Sequence, residues 1–152
     1  MSVGVEPHSR SMNDVARDMF NEGIFVAVSA GNKGKNTNST SPASEPSICT
    51  VGATDSNNQM AEFSNVGPVV DILAPGVDVL SASNENTTAS LISSGTSMAA
   101  PHVAGLAACL LASGHKDPKT LCEYMAKTAS PLRTVVSNDT ISLVAFNGNP
   151  EG

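Results

Sequence analysis

Between Ser97 and Ser113 the chain carries no charged residue. The stretch has helical length, opens just after Gly95 and stops at Gly114. A helix that is apolar all round belongs in the centre of a domain, covered on several sides. Its opening, Gly95-Thr96-Ser97-Met98-Ala99-Ala100-Pro101-His102-Val103-Ala104-Gly105, reads as a nucleophilic serine at the start of that buried helix. A serine hydroxyl is a poor nucleophile until a base takes its proton and a donor array receives the oxyanion. The remaining residues decide whether those parts are present.

With 152 residues the chain is one domain at most, with enough length to bury a core. Hydrophobic residues make up 40% and charged residues 14%, which is a globular composition. The formal charge of -6, with no stripe of Lys and Arg, argues against nucleic acid as a partner. The longest apolar stretch, Met98 to Ala112, is interrupted by Pro101, His102 and Gly105 and is too short to span a bilayer. Met1-Ser2-Val3-Gly4-Val5-Glu6 lacks the basic and apolar regions of a signal peptide. Other features point outward. Asn38-Ser39-Thr40, Asn86-Thr87-Thr88 and Asn138-Asp139-Thr140 match the glycosylation acceptor, a triplet that a chain rich in Ser, Thr and Asn also forms by chance. Cys49, Cys109 and Cys122 allow one bridge and one free thiol, or three reduced core residues.

Helical periodicity after Ser11-Met12-Asn13-Asp14 puts Met12, Val15, Ala16, Met19 and Phe20 on one face, with Gly23 as terminator. The apolar run Ile24 to Ala30 suits a strand buried on both faces of a parallel sheet. With Met1 to Val3 as a preceding strand, these form a right-handed strand-helix-strand unit. Lys33 to Ser47 reads as an ordered polar loop, and Ile48 to Thr54 and Val69 to Leu73 as further strands. Asp78 to Ser94 is mixed in character. Asp117-Pro118 starts a third helix with Leu121, Cys122, Met125 and Ala129 inward, and Thr140 to Phe146 reads as an edge strand. No repeat or long linker divides the chain.

Two positions stand out for chemistry. Ser97 is flanked by small residues that let a substrate backbone approach, and the first-turn amides of its helix carry partial positive charge. A serine that merely caps a helix has the same local pattern. Ser29-Ala30-Gly31-Asn32 closes the buried strand, where parallel sheets bind ligands. Asn32 can offer its amide to an oxyanion, or can be a plain turn asparagine.

Taken in order, Ser29-Ala30-Gly31-Asn32, Ser41-Pro42-Ala43-Ser44-Glu45-Pro46, Thr50-Val51-Gly52-Ala53-Thr54, Phe63-Ser64-Asn65, Ala74-Pro75-Gly76 and Gly95 to Gly105 resemble the subtilisin-like serine proteases, and among them the proteinase K group. The resemblance runs from Met1 to about Asn147. It implies an α/β fold: part of the subtilisin-like three-layer architecture, with a mostly parallel sheet and a buried central helix carrying the serine. It implies a serine endopeptidase acting through an acyl-enzyme. Ser97 matches the nucleophile, and Asn32 matches the side-chain donor of the oxyanion hole, beside the Ser97 N–H. Ser2, Val3 and Gly4 look like the segment that pairs with substrate as an added strand. Ser29, Ala30 and Gly31 look like a wall of the primary specificity pocket. The carbonyls of Pro46 and Ile48 and the carboxylate of Asp71 match a structural calcium site; no cofactor is needed for the chemistry. Cys49 and Cys122 match a disulfide, which leaves Cys109 as a buried free thiol. Polypeptides are the implied substrates, and secretion the implied destination.

The family presents its triad in the order Asp, His, Ser. Before Ser97 the only histidine is His8, and Asp55-Ser56-Asn57 is not an aspartate motif of the family. His102 belongs to the serine motif, as a residue packed beneath it, and His115 lies downstream. An α/β-hydrolase order, with acid and then histidine after the serine, fails as well. Met1 falls where the family has an internal Met-Ser, and Val5-Glu6-Pro7 replaces a segment that is often glycine-rich. The expectation is therefore that residues 1–152 form the C-terminal portion of a subtilisin-like peptidase domain, without the N-terminal half that holds Asp and His, and inactive alone. The alternative is a non-catalytic remnant or a peptide-binding fragment.

Overall fold

The computed structural model describes residues 1–115, 117–132 and 139–149. Helix α1 (Arg10–Asn21) starts after an extended Ser9 and ends at Gly23, whose φ of +83° is the left-handed close expected there. Ala16 is buried with Met19 and Phe20 packed beside it, as the periodicity reads, but Val15 of that face is 58% exposed and Asn13 is buried instead. The helix packs partly on a polar loop, and Asn13 Nδ2 donates to Ser44 Oγ at 3.0 Å. Strand β1 (Ala27–Ser29) follows, then β2 (Cys49–Thr54) and β3 (Ile72–Pro75). A hairpin of β4 (Val79–Ala82) and β5 (Ser90–Ser93) occupies the mixed region. Helix α2 (Thr96–Ala112) and, after the turn Pro118–Thr120, helix α3 (Leu121–Thr128) complete the helical layers. The short strands β6 (Ser130–Pro131) and β7 (Leu143–Val144) close the described chain.

The main sheet has the order β1-β2-β3-β7-β6 and is parallel except for the β6–β7 pair. Both faces are covered, which is why β2 is buried throughout. One face packs α2 and α3 through Ala27, Val51, Ala53, Ile72 and Ala74 against Ala99, Ala100, Val103, Ala107, Leu121 and Met125. The other carries Ala16 of α1 over Val26, Val28 and Ile48. The alanines of α2 let its axis lie close to the strands.

Several expectations shift. Met1 to Val3 is not a strand; Met1 O accepts from Ser29 N at 3.2 Å, and the next backbone pairing is Val5 with Ser41. The third strand starts at Ile72 rather than Val69, because Val70 N bonds back to Gly67 O in a turn. The strand within Thr140 to Phe146 pairs with β3 and β6, so β6 takes the edge. Asn38 and Asn86 are exposed, and Asn138 lies outside the described residues.

Helix α2 differs most. It is buried along the Ala99, Ala100, Val103 and Ala107 face, but Ala104, Gly105, Ala108, Cys109 and Leu111 are exposed. Cys109 is an exposed thiol rather than a buried one, and His102 is exposed rather than packed beneath the serine. The sheet covers one side of the helix only.

A disulfide joins Cys49 at the start of β2 to Cys122 in α3, 73 residues apart. A loop of that length gives a large entropic effect on the unfolded chain. Replacing both cysteines by serine is expected to lower the unfolding free energy by about 4 kcal/mol. Urea denaturation checks this, and an unchanged midpoint would refute it.

Candidate active site

Ser97 is the second residue of α2, so its N–H belongs to the first turn, where amides have no carbonyl of their own helix to bond. That turn also carries the positive end of the helix dipole. Pro101, five residues into the helix, has no N–H for the Ser97 carbonyl four positions back. The freed Ser97 oxygen instead accepts from Ser2 Oγ at 2.7 Å. The proline thus docks the Ser2–Gly4 segment onto the serine helix, a role its missing N–H alone does not reveal.

Asn32 stands just past the end of β1, and its carboxamide is oriented by Thr96. Asn32 Oδ1 accepts from Thr96 N and from Thr96 Oγ1, both at 2.8 Å. Thr96 Oγ1 in turn accepts from Gly31 N at 3.1 Å. With the oxygen taken twice, the amide nitrogen is the free end; in the opposite orientation that nitrogen, itself a donor, would face the Thr96 N–H. Asn32 Nδ2 lies 3.2 Å from the position a Cβ would take on Gly95, so the residue at 95 has no space for a side chain without crowding the donor.

The loop carrying Asn32 is held by Asn65, which is fully buried. Asn65 Oδ1 accepts from Lys33 N at 3.0 Å and Lys35 N at 3.1 Å, and its Nδ2 donates to Ala30 O at 3.0 Å and Thr40 Oγ1 at 3.2 Å. Gly31, at φ +107°, is required: a Cβ there would stand 2.4 Å from Asn65 Nδ2. Asn65 and Thr96 stand inside matched sequence blocks, but the bonds they make are not legible there, since their partners are distant in the chain.

A cleft of about 560 Å³ is lined by Ser2, Val3, Gly4, Ser29, Gly31, Asn32, Thr96 and Ser97, among others. It brings together the residues singled out for catalysis and substrate binding, with one exception. Ala30 is the exception: its side chain is buried with Val70, Leu73 and Val144. No histidine or aspartate lines this cleft among the described residues. His8 Nε2 lies 3.3 Å from Asn13 Nδ2, beside α1. The His115 ring packs at a tilt against Tyr124, with centroids 4.5 Å apart and planes at 51°. His102 lines a separate groove of about 310 Å³ with Ser97, between α2 and the β4–β5 hairpin. An ideal helix puts a residue five positions on about 7.5 Å along and 140° around, a poor placement for a base that must reach the Ser97 hydroxyl. His102 Nδ1 is 2.8 Å from Met98 O.

Pro46, Ile48 and Asp71 line one cavity of about 510 Å³, which shares no lining residue with the Ser97 cleft. Asp71 Oδ2 accepts from Thr50 N at 2.7 Å. Burial dominates over this bond and pushes the carboxyl up to about 6. The nearby sulfurs of Cys49 and Cys122 are bonded to each other and offer no thiolate. An oxygen donor set around a carboxylate that burial leaves short of compensation fits a hard cation.

The raised carboxyl has a pH consequence. Below the unfolded value near 3.8, Asp71 is protonated folded and unfolded alike, and nothing is lost. As pH rises toward 6 the unfolded chain ionises first, so metal-free stability falls, by up to about 3 kcal/mol above that window. In chelator at pH 7.5, Asp71→Asn is therefore expected to raise the urea midpoint, and calcium to stabilise the parent protein but not the variant. A variant less stable than the parent in chelator would count against this.

A model of the subtilase family matches residues 1–145. The chain belongs to the subtilase family. This subtilase chain is 48% identical over 149 residues to Proteinase T of Parengyodontium album, covering 97% of itself and 50% of that protein. It is 48% identical over 150 residues to the cuticle-degrading protease of Metarhizium anisopliae, covering 97% of itself and 38% of that protein. A solved cold-adapted subtilisin-like serine proteinase superposes with a TM-score of 0.90 at 33% identity, over 97% of this chain and 53% of its own. The mostly parallel α/β architecture is thus a subtilisin-like one, and the chain spans half or less of the length of these two relatives.

Proposed function

We propose that the subtilase chain forms the serine-bearing portion of a serine endopeptidase that acts on polypeptides outside the cell. The observation that carries this is the Thr96-locked Asn32 carboxamide, with its donor end free in the cleft that holds Ser97. In this reading Ser97 Oγ attacks the substrate carbonyl, Asn32 Nδ2 and Ser97 N–H receive the oxyanion, and the amine leaves as the acyl-enzyme forms. The Ser2–Gly4 backbone aligns the peptide beside the hydroxyl. Pro46, Ile48 and Asp71 hold a structural calcium ion, whose charge compensates the buried carboxylate.

The general base and the residue that orients it come from outside residues 1–152, since no described histidine or aspartate lines the cleft that holds Asn32 and Ser97. The exposed side of α2 is the surface that the rest of the catalytic domain covers, which accounts for an apolar helix with an open face. The test is direct. The chain alone is expected to leave an apolar peptide amide uncut, and to gain Ser97-dependent turnover when refolded with the portion of Proteinase T that its match leaves out. Turnover by the chain alone would overturn the assignment of the base; no turnover from any assembled form would favour a peptide-binding fragment, for which the open cleft also suffices.

A further inference from the structure

The geometry points to a cation-accepting subsite in the Ser97 cleft, built on the Glu6 carboxylate and occupied by Lys33 until a substrate ammonium or guanidinium displaces it. This rests on the peptidase reading and names the side chains the cleft admits: lysine and arginine beside apolar residues, with aspartate and glutamate disfavoured.

Glu6 and Lys33 both line the cleft that contains Ser97 and Asn32. Lys33 Nζ lies 2.9 Å from Glu6 Oε2, and Thr40 Oγ1 donates to Glu6 Oε1 at 3.3 Å. The two partners are held unequally. Thr40 is buried and fixed by Asn65 Nδ2, so one carboxylate oxygen is anchored to the cleft wall. The Glu6 side chain is 25% exposed and that of Lys33 is 58% exposed. Lys33 ends a flexible four-carbon stem and is easily solvated. A substrate cation can therefore take its place without leaving a buried charge unpaired. An entering carboxylate meets the anchored Glu6 and can only pair with Lys33 by stripping Glu6 of its partner. The bond from Lys33 also holds the Glu6 carboxyl below the usual range, so the acceptor stays ionised at neutral pH. No other acidic side chain lines the cleft among the described residues.

The experiment compares the assembled peptidase on peptide p-nitroanilides ending in Lys, Arg, Phe or Glu. Glu6→Gln should lower the Lys-to-Phe ratio of kcat/KM by about fivefold, the scale of one partly exposed ion pair. Lys33→Gln should raise that ratio, and the double variant should behave as Glu6→Gln. A ratio that Glu6→Gln leaves unchanged overturns the proposal. If no substrate is cut, the peptidase reading fails, and titration with butylamine decides this one separately. Binding that Glu6→Gln weakens and Lys33→Gln strengthens supports the subsite; binding insensitive to Glu6→Gln, or none at all to Lys33→Gln, overturns it.

Discussion

Ser97→Ala in the assembled peptidase is expected to lower turnover of an apolar peptide amide by about a millionfold, the scale seen when the nucleophile of subtilisin is removed. The hydroxyl sits at the first turn of α2, within the cleft that the Ser2–Gly4 segment borders, and among the described residues no other candidate nucleophile combines that position with an oxyanion donor. What survives should be the small acceleration from binding and from Asn32 alone. Substrate binding should persist, because Ser2 Oγ reaches the Ser97 backbone oxygen and not its side chain. Single-turnover assays with active-site titration measure the loss, and a drop of less than about tenfold would remove Ser97 from the role of nucleophile. The same logic predicts silence from residues 1–152 alone. An unassisted serine hydroxyl is a weak nucleophile, and helix-dipole stabilisation of the oxyanion does nothing to take its proton.

Legibility in the sequence followed the range of the interactions. Strand β1 was visible within the apolar run Ile24 to Ala30 because both faces of the sheet are covered there and Ala27, Val28 and Ser29 are all buried. The serine and the asparagine were visible as motifs, yet what aims them was not. Thr96 lies next to Ser97 in sequence, but its function depends on Gly31 and Asn32, 64 to 65 residues away. Asn65 stands in a matched block, yet what it does shows only in its bonds to Ala30 and Thr40. Val15 misled because apolar periodicity marks a face without saying what covers it; α1 uses Asn13 against Ser44 instead. The same ambiguity governs Cys109 and His102. An apolar helix calls for cover on all sides, and composition is silent on how much of that cover lies within residues 1–152.

Asn32→Ala in the assembled peptidase should lower turnover about 100- to 1,000-fold with little change in substrate affinity, the range known for the side-chain donor of subtilisin's oxyanion hole. The reason lies in when the bond is made. A donor aimed at the oxyanion gains most as charge develops on the carbonyl oxygen, so its loss appears in kcat rather than KM. Asn32 is suited to this because Thr96 N and Oγ1 hold its oxygen at 2.8 Å each, so the amide need not reorganise when charge appears. Asn32→Asp sharpens the test. The aspartate keeps an acceptor for Thr96 but replaces the donor with a negative oxygen facing the developing charge, so it should be at least as damaging as alanine. Thr96→Val separates aim from presence: it keeps the amide but removes the hydroxyl bond, and a smaller loss confined to kcat is expected. If Asn32→Ala instead raised KM with kcat intact, Asn32 would be a ground-state contact, and the oxyanion would have to be received elsewhere.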